Sequence, residues 1–355
     1  MTDRTTLDDF LDRRVWLVTG KGGVGRTVLA AACALYAARQ GKRVVLTELG
    51  DVAERQSPLA RIFGRDLLPE GENPMPIVDG IDGHGFGHGR LLGVRLLALT
   101  GQEQYLRTVL PSRALVRAVL ASEALRRLAV AGPSLRELGI FYQLLSLVRS
   151  RRPDGSPEHE LIVADMPATG HTLSLTGLPE RLLHLIRSGP IHDQLIEGQS
   201  YLNDPAKTAG FTVTLPETLP ISECLDLIAG LEETRVPVGA VLVNRVPVDP
   251  FTSAERAALT PLLTASTRPG ATCFRRYPQS HAELARLRQS LPSTPIFEIP
   301  ELLGIEGQSD RGLVERLSQL LGSREDRRPM ATLSPSPLTA ALSPMASPAL
   351  LAPCT

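Results

Sequence analysis

A glycine-rich turn between an apolar segment and a helical pattern is the feature that most constrains how this chain folds. The segment VWLVT (15–19) is apolar and rich in residues that favour β-strands. GKGGVG (20–25) follows, and its four glycines permit tight or left-handed backbone geometry. Apolar residues then recur at helical spacing over 28–36. A strand, a glycine loop and a helix in this order are the context in which backbone N–H groups bind phosphate.

The residues of this loop predict contacts with a nucleoside triphosphate and Mg²⁺. The loop follows the pattern GxxxxGK[ST], except that Arg26 stands in place of the lysine. Arginine pairs well with phosphate, but it is longer, planar and forked, so we expect binding to persist more readily than catalysis. The hydroxyl of Thr27 is expected to bind Mg²⁺. The predicted phosphate-binding residues are Gly22, Gly23, Val24, Gly25, Arg26 and Thr27.

Further apolar, β-rich segments alternate with helical patterns along the chain. This alternation predicts an α/β fold, with a mainly parallel P-loop sheet flanked by helices. The segment LIVAD (161–165) ends in Asp165, and the second residue on the metal side of such a site is an acid at the end of a neighbouring strand. The predicted strands are 15–19, 41–47, 161–165, 211–215, 239–244 and 294–300.

Composition and periodicity divide the chain into one domain and a tail. Residues 69–90 are rich in Gly and Pro, which predicts a long mobile loop. From 91 to 150 the pattern is helical throughout, so we expect a helical insertion without a strand. After about residue 323 the composition shifts to Pro, Ser, Ala and Leu. We therefore expect a single domain over 1–325 and a disordered tail over 326–355.

Charge and composition exclude several classes of function. Lys plus Arg equals Asp plus Glu, 38 each, and aromatic residues make up 4%, so nucleic-acid binding is not expected. No apolar run approaches the length of about 18 residues that a membrane span needs, and the acidic N-terminus does not resemble a signal peptide. The scattered cysteines favour free thiols in a reducing cytoplasm. These cysteines are Cys33, Cys224, Cys273 and Cys354.

Four motifs, in order along the chain, resemble one family. KGGVGRT (21–27) is similar to the deviant Walker A motif of the SIMIBI class of P-loop ATPases. DMPATGHTLSLTGLPE (165–180) resembles the switch II segment of the ArsA family. That family includes the arsenite-pump ATPases and the ATPases that target tail-anchored membrane proteins. VLVNRV (241–246) and IPELLGIEG (299–307) resemble the segments of the family that contact adenine.

The resemblance implies a protein that binds Mg-ATP at the interface of a homodimer, or of a heterodimer with a paralogous ATPase. Lys21 matches the signature lysine, which reaches the nucleotide of the partner and stabilises charge on the transferred phosphate. Asp165 matches the switch II acid near Mg²⁺. Asn244 and Pro300 match adenine contacts; an asparagine amide both donates to and accepts from a purine edge.

The aspartate of the family's switch I, which orients or activates the attacking water, has no direct match. Alignment on VVLTEL (44–49) places Gly50 at its position, with Asp51 one residue later and Glu48 as the other candidate. We take Asp51 as the catalytic candidate, together with Lys21 and Asp165. A misplaced general base would slow hydrolysis by about 10²–10⁴-fold.

Two hypotheses therefore remain open. The chain is an ATPase whose hydrolysis switches segments 48–60 and 165–176 and acts on an unknown protein client. Alternatively, it is a degenerate nucleotide-binding partner subunit of a paralogous ATPase, with little or no turnover. Metalloid binding by thiolates is not expected, because residues 34–223 contain no cysteine. The absence of a CxxC pair and of a methionine-rich helical region argues against targeting of tail-anchored proteins.

Overall fold

A computed structural model describes most of the chain and contains one eight-stranded sheet. The described residues are 5–50, 57–71, 73–78, 90–109, 112, 133–249, 251–263, 271–302 and 309–322. The strand order is β3-β4-β2-β5-β1-β6-β7-β8, and every neighbouring pair is parallel except β3 and β4. The strands are β1 (Val15–Gly20), β2 (Arg43–Gly50), β3 (Met75–Val78), β4 (Arg90–Leu97), β5 (Leu161–Asp165), β6 (Thr208–Thr214), β7 (Val238–Val246) and β8 (Ile296–Pro300).

Helices follow most of these strands, as a parallel sheet requires. The described helices are α1 (Arg26–Arg39), α2 (Pro58–Ile62), α3 (Ala98–Val109), α4 (Pro133–Arg149), α5 (Thr169–Thr176), α6 (Leu178–Leu183), α7 (Pro190–Leu202), α8 (Thr218–Glu233), α9 (Ser253–Leu263), α10 (Ala271–Ser290) and α11 (Asp310–Gly322), with a short 3₁₀ helix at Leu7–Phe10. The predicted α/β class and mainly parallel sheet are confirmed, and each of the six predicted strands overlaps an observed one.

Successive residues of the central strands pack into different hydrophobic clusters, one on each face of the sheet. Trp16 and Val18 of β1 pack into the cluster that contains α1 and α11, whereas Val15 and Leu17 pack into the cluster that contains α4 and α7. Strand side chains point alternately to the two faces, so a strand covered on both sides needs an unbroken apolar run. The sequence VWLV meets that need, and it fixes β1 in the middle of the sheet.

The prediction for residues 91–150 is wrong at its beginning, because β4 (Arg90–Leu97) is a strand. Its sequence RLLGVRLL is buried at nearly every position, so it lacks the alternation that marks a half-exposed strand. A short apolar run of this kind fits a buried strand and a buried helix equally well. The predicted loop 69–90 also contains a strand, β3 (Met75–Val78), which pairs with β4.

Several further expectations can be compared with the described residues. Cys33 and Cys224 are free and buried, and burial raises the pKa of each thiol to about 12. None of the described helices combines the length and apolar character needed to cross a bilayer. The predicted tail over 326–355 and the switch I residue Asp51 lie outside the described residues.

Candidate functional site

The glycine loop joins the carboxyl end of β1 to the first turn of α1, at the centre of the sheet. Gly25 is the N-cap of α1 and has a left-handed backbone, with φ of 89°. A side chain at this position would also collide with the amide nitrogen of Asn244. Only glycine satisfies both constraints. The loop therefore turns tightly into α1, which directs the unpaired N–H groups of the first helical turn toward the space above the sheet.

Asn244, near the end of β7, holds this loop from the side. Its Nδ2 donates to the carbonyl oxygen of Val24 at 2.9 Å, and its Oδ1 accepts from the backbone N–H of Arg245 at 3.0 Å. Asn244 is 8% exposed, so these hydrogen bonds satisfy a buried amide. Pro300 lies on the neighbouring strand β8, where it pairs with Val246. The two predicted adenine contacts are thus on adjacent strands, while the contacts themselves stay a prediction.

Three side chains meet where β1, β5 and α1 converge. Thr27 Oγ1 donates to Asp165 Oδ2 at 2.7 Å, and Arg26 Nε donates to Asp165 Oδ1 at 3.0 Å. Arg26 Nη1 also donates to the carbonyl oxygen of Gly20 at 3.2 Å. Burial raises the pKa of the Asp165 carboxyl, and the charge of Arg26 and the hydrogen bond from Thr27 oppose that rise.

The chemistry of this cluster fits Mg²⁺. A hydroxyl and a carboxylate are the hard oxygen donors that Mg²⁺ prefers, and Thr27 and Asp165 bring them together at the start of a helix. Both carboxylate oxygens of Asp165 already accept hydrogen bonds, one from Thr27 and one from Arg26. The predicted residues are therefore brought together, with Arg26 inside the cluster that would hold the metal.

Lys21 points toward a residue that the sequence did not single out. Its Nζ lies 2.6 Å from Oε1 of Glu223, in the second turn of α8. Both side chains are about one-third exposed. Sequence reasoning missed Glu223 because no local pattern links two residues that lie so far apart in the chain. In this structure, Lys21 is paired with an acid of its own chain.

A buried ion pair lies near the end of β2, close to Gly50, the residue that aligns with the switch I aspartate of the family. Glu48 Oε1 lies 3.4 Å from Arg95 Nε of β4, with both side chains almost fully buried. Glu48 Oε2 accepts hydrogen bonds from Ser57 Oγ and from the N–H of Leu59, each at 2.9 Å. Glu48, the second candidate for the base, thus holds the start of α2 in place. A Cβ at Gly50 would collide with the guanidinium of Arg95.

The segment after Asp165 links the loop to the helical layer. Thr172 Oγ1 lies 2.9 Å from Thr19 Oγ1, at the end of β1, and donates to the carbonyl oxygen of Pro167 at 2.8 Å. Next to it is a pocket of about 220 Å³ between the ends of β2 and β5 and helix α4. Residues that line this pocket include Leu49, Gly50, Glu137, Ile140, Pro167 and His171.

The mainly parallel sheet, the glycine loop between β1 and α1, and the acid at the end of β5 define an α/β protein of the P-loop NTPase type. The family model of the anion-transporting ATPases, ArsA ATPase, matches residues 13–56, which include the loop. The chain is thus similar, over its phosphate loop and beyond it, to ATPases of the ArsA type.

Curated relatives extend this match beyond the loop. The chain is 31% identical over 232 residues to the ATPase BagA of Mycobacterium tuberculosis, and equally to a putative ATPase of Mycobacterium bovis. It spans about 65% of the length of these mycobacterial relatives, and the match covers 65% of this chain. It is 26% identical over 278 residues to a putative arsenical pump-driving ATPase of Aquifex aeolicus, covering 68% of this chain and 85% of that protein.

Proposed function

We propose that this chain binds Mg-ATP at the loop 22–27, at the interface of a dimer, and hydrolyses it slowly. The observation that carries this proposal is the cluster of Thr27 and Asp165 at the start of α1, because it joins the hydroxyl and the carboxylate of a magnesium site to a helix N-terminus. The match of residues 13–56 to the ArsA ATPase family model supports the same chemistry.

Different groups of the loop would contact the phosphates and the metal ion. Backbone N–H groups of residues 22–27 donate to phosphate oxygens, and the guanidinium of Arg26 adds charge. Thr27 and Asp165 would hold Mg²⁺, which neutralises charge on the β- and γ-phosphates when it is bound. At the other end of the nucleotide, the base would lie between Asn244 and Pro300.

Lys21 would serve the second subunit, as the signature lysine of a deviant Walker A motif. Such a lysine places a positive charge beside the transferred phosphoryl group of the partner's nucleotide. The side chain is partly exposed at the edge of the loop, and its contact with Glu223 is a surface ion pair, which is easily exchanged. The partner is either a second copy of this chain or a paralogous ATPase.

Hydrolysis would move segments 48–60 and 165–176 and thereby change the surface presented to a protein client. The hydrogen bond between Thr19 and Thr172 supports this coupling, because it joins the end of β1 to α5. The neighbouring pocket is lined by residues of both segments and of α4, so it leaves space between them. A segment that contacts both the nucleotide and a helical layer can change position when the γ-phosphate is lost, and the helices packed against it then move as well.

A second candidate function is a nucleotide-binding subunit with little or no turnover. Two observations favour it. The side chain of Arg26 donates a hydrogen bond to the carboxylate of Asp165. The guanidinium of Arg95 lies beside Gly50, the position that aligns with the switch I aspartate of the ArsA family. Such a subunit would donate Lys21 to a paralogous ATPase and leave its own nucleotide unhydrolysed.

Parallel measurements of binding and phosphate release on the purified chain test both functions. We expect ATP to bind, Thr27→Val to weaken binding, and the exposed matched variant Thr260→Val to leave it unchanged. Release of phosphate above the level of Thr27→Val supports hydrolysis. Binding without release, unchanged in Arg26→Lys, would favour the second function, and failure to bind any nucleoside triphosphate would contradict both.

A further inference from the structure

We propose that the pocket between the ends of β2 and β5 and helix α4 binds a small apolar amino acid. Its ammonium group would pair with Glu137, its carboxylate would contact Arg136 and His171, and its side chain would pack on the apolar wall of the pocket. None of the described residues that line this pocket belongs to the loop 22–27, so the site is separate from the proposed nucleotide site.

The position of Glu137 is the first support. This residue of α4 lines the pocket and is 8% exposed. Among the residues that the structure describes, none forms a hydrogen bond or an ion pair with its carboxylate. Carboxylates this buried are normally paired, because an uncompensated charge inside a protein is costly. Burial raises the pKa of the Glu137 carboxyl accordingly. An ammonium group in the pocket would supply the missing donor.

The size and lining of the pocket are the second support. Its volume is about 220 Å³, which is below the range of roughly 300–1,000 Å³ for sites of drug-sized ligands, so its ligand is small. Apolar walls with a few placed polar groups are typical of sites that bind and orient small molecules. The apolar residues of this lining are Leu49, Ile140, Pro167 and Leu175. They favour a ligand with an apolar body.

The charges around the pocket are the third support, and they distinguish an amino acid from a simple amine. Arg136 and His171 line the pocket and are exposed, so they lie at its rim. Arg181 is also near enough to lower the pKa of Glu137. These groups favour an anionic group at the rim, whereas Glu137 favours a cationic group inside. A simple carboxylic acid would cover Glu137 without pairing with it, which leaves a buried polar group unsatisfied.

Isothermal titration calorimetry on the full chain, without nucleotide, tests the proposal with L-leucine. Two analogues each lack one of its charged groups: 4-methylpentanoate has no ammonium, and 3-methylbutylamine has no carboxylate. We expect L-leucine to bind with a Kd of about 1 mM or lower. Each analogue should bind about tenfold or more weakly, as expected when a charge-assisted hydrogen bond is lost.

Glu137→Gln and Arg136→Gln assign the two ends of the ligand. Glu137→Gln keeps the shape of the side chain and removes its charge, so the affinity for L-leucine should fall about tenfold or more. Arg136→Gln should weaken the binding of L-leucine but not that of 3-methylbutylamine, because the amine has no carboxylate. Glu103→Gln is the matched control, since Glu103 lies on α3 and pairs with Arg107. It should behave like the wild type.

Three results would overturn the proposal. They are a Kd for L-leucine well above about 1 mM, equal affinity for L-leucine and either analogue, and undiminished affinity in a folded Glu137→Gln variant. Thermal unfolding shows whether each variant is folded; should Glu137→Gln fail to fold, the two analogues decide the question on the wild-type chain. ATP binding measured on the same samples reports the nucleotide site independently, so failure of the one site is distinguishable from failure of the other.

Discussion

Gly25 lies so close to Asn244 that a Cβ on the glycine would collide with Nδ2 of the asparagine. The same Nδ2 donates to the carbonyl oxygen of Val24. Two features therefore fix the conformation of the loop after β1: the left-handed backbone of Gly25 and the side-chain amide of Asn244 on β7. Changes at either residue should therefore disturb the loop directly.

Gly25→Ala should lose stability and nucleotide binding together. The left-handed backbone at φ of 89° costs a non-glycine residue about 1–2 kcal/mol, and the collision with Asn244 adds to that cost. Gly155→Ala is the matched control, because Gly155 has φ of 82° and no neighbouring atom in the way of a Cβ. Urea unfolding measures both variants. Equal losses of stability in the two would show that the contact with Asn244 contributes nothing.

Asn244→Ala should lower the free energy of unfolding by about 1–3 kcal/mol, because it leaves the carbonyl oxygen of Val24 without its buried donor. We also expect weaker binding of ATP, since the loop loses its lateral support. Asn203→Ala at the end of α7 serves as the control, since Asn203 lies far from the loop in sequence and on another element. Unchanged ATP affinity in a destabilised Asn244→Ala would separate the loop's stability from its binding role.

The strand, loop and helix over residues 15–39 can be predicted from sequence because their signals are local. An apolar run, four glycines and a helical period each act within a few residues. Thr27 and Asp165 are also predictable, since parallel strands end at one edge of the sheet. β4 is not, because burial on both faces removes the alternation that identifies strands. The pairs Glu48–Arg95 and Lys21–Glu223 depend on which strands and helices become neighbours, and no local pattern encodes that.

Arg95→Met should destabilise the protein strongly and in a pH-dependent way. Removing one partner of a buried ion pair typically costs about 3–5 kcal/mol, because the other charge stays buried. Burial raises the pKa of the Glu48 carboxyl, and Arg95 opposes this rise. Without Arg95 the pKa rises further.

The sign of the pH dependence follows from that shift. A carboxyl whose pKa is raised in the folded state contributes stability fully below its unfolded pKa, and this contribution is lost as pH rises through the folded pKa. The destabilisation of Arg95→Met relative to wild type should therefore grow as the pH rises above the ordinary pKa of a glutamate, about 4.3. Urea unfolding at a series of increasing pH values measures it. The double variant Arg95→Met/Glu48→Gln should remove the pH dependence; a difference that persists would assign the effect to other groups.

Lys21→Ala and Glu223→Gln should separate the role of Lys21 in catalysis from its ion pair. The pair is partly exposed, so either change should alter the free energy of unfolding by no more than about 1 kcal/mol. If Lys21 acts on the nucleotide of a partner subunit, Lys21→Ala should reduce phosphate release by about 10²-fold or more, as expected when a group that stabilises transition-state charge is lost. Its affinity for ATP should stay near that of the wild type.

Glu223→Gln should give the opposite result, because it removes the acid that holds Lys21 within its own chain. Phosphate release should be unchanged or faster, with a larger effect at low protein concentration, where dimers are scarce. Lys42→Ala is the control for loss of a lysine, since Lys42 pairs with Asp12 on the surface. Mixing Lys21→Ala with the loop variant Thr27→Val should restore part of the release if the lysine acts in trans, because one mixed site then has an intact loop and an intact lysine. No recovery in the mixture would place the action of Lys21 within its own subunit.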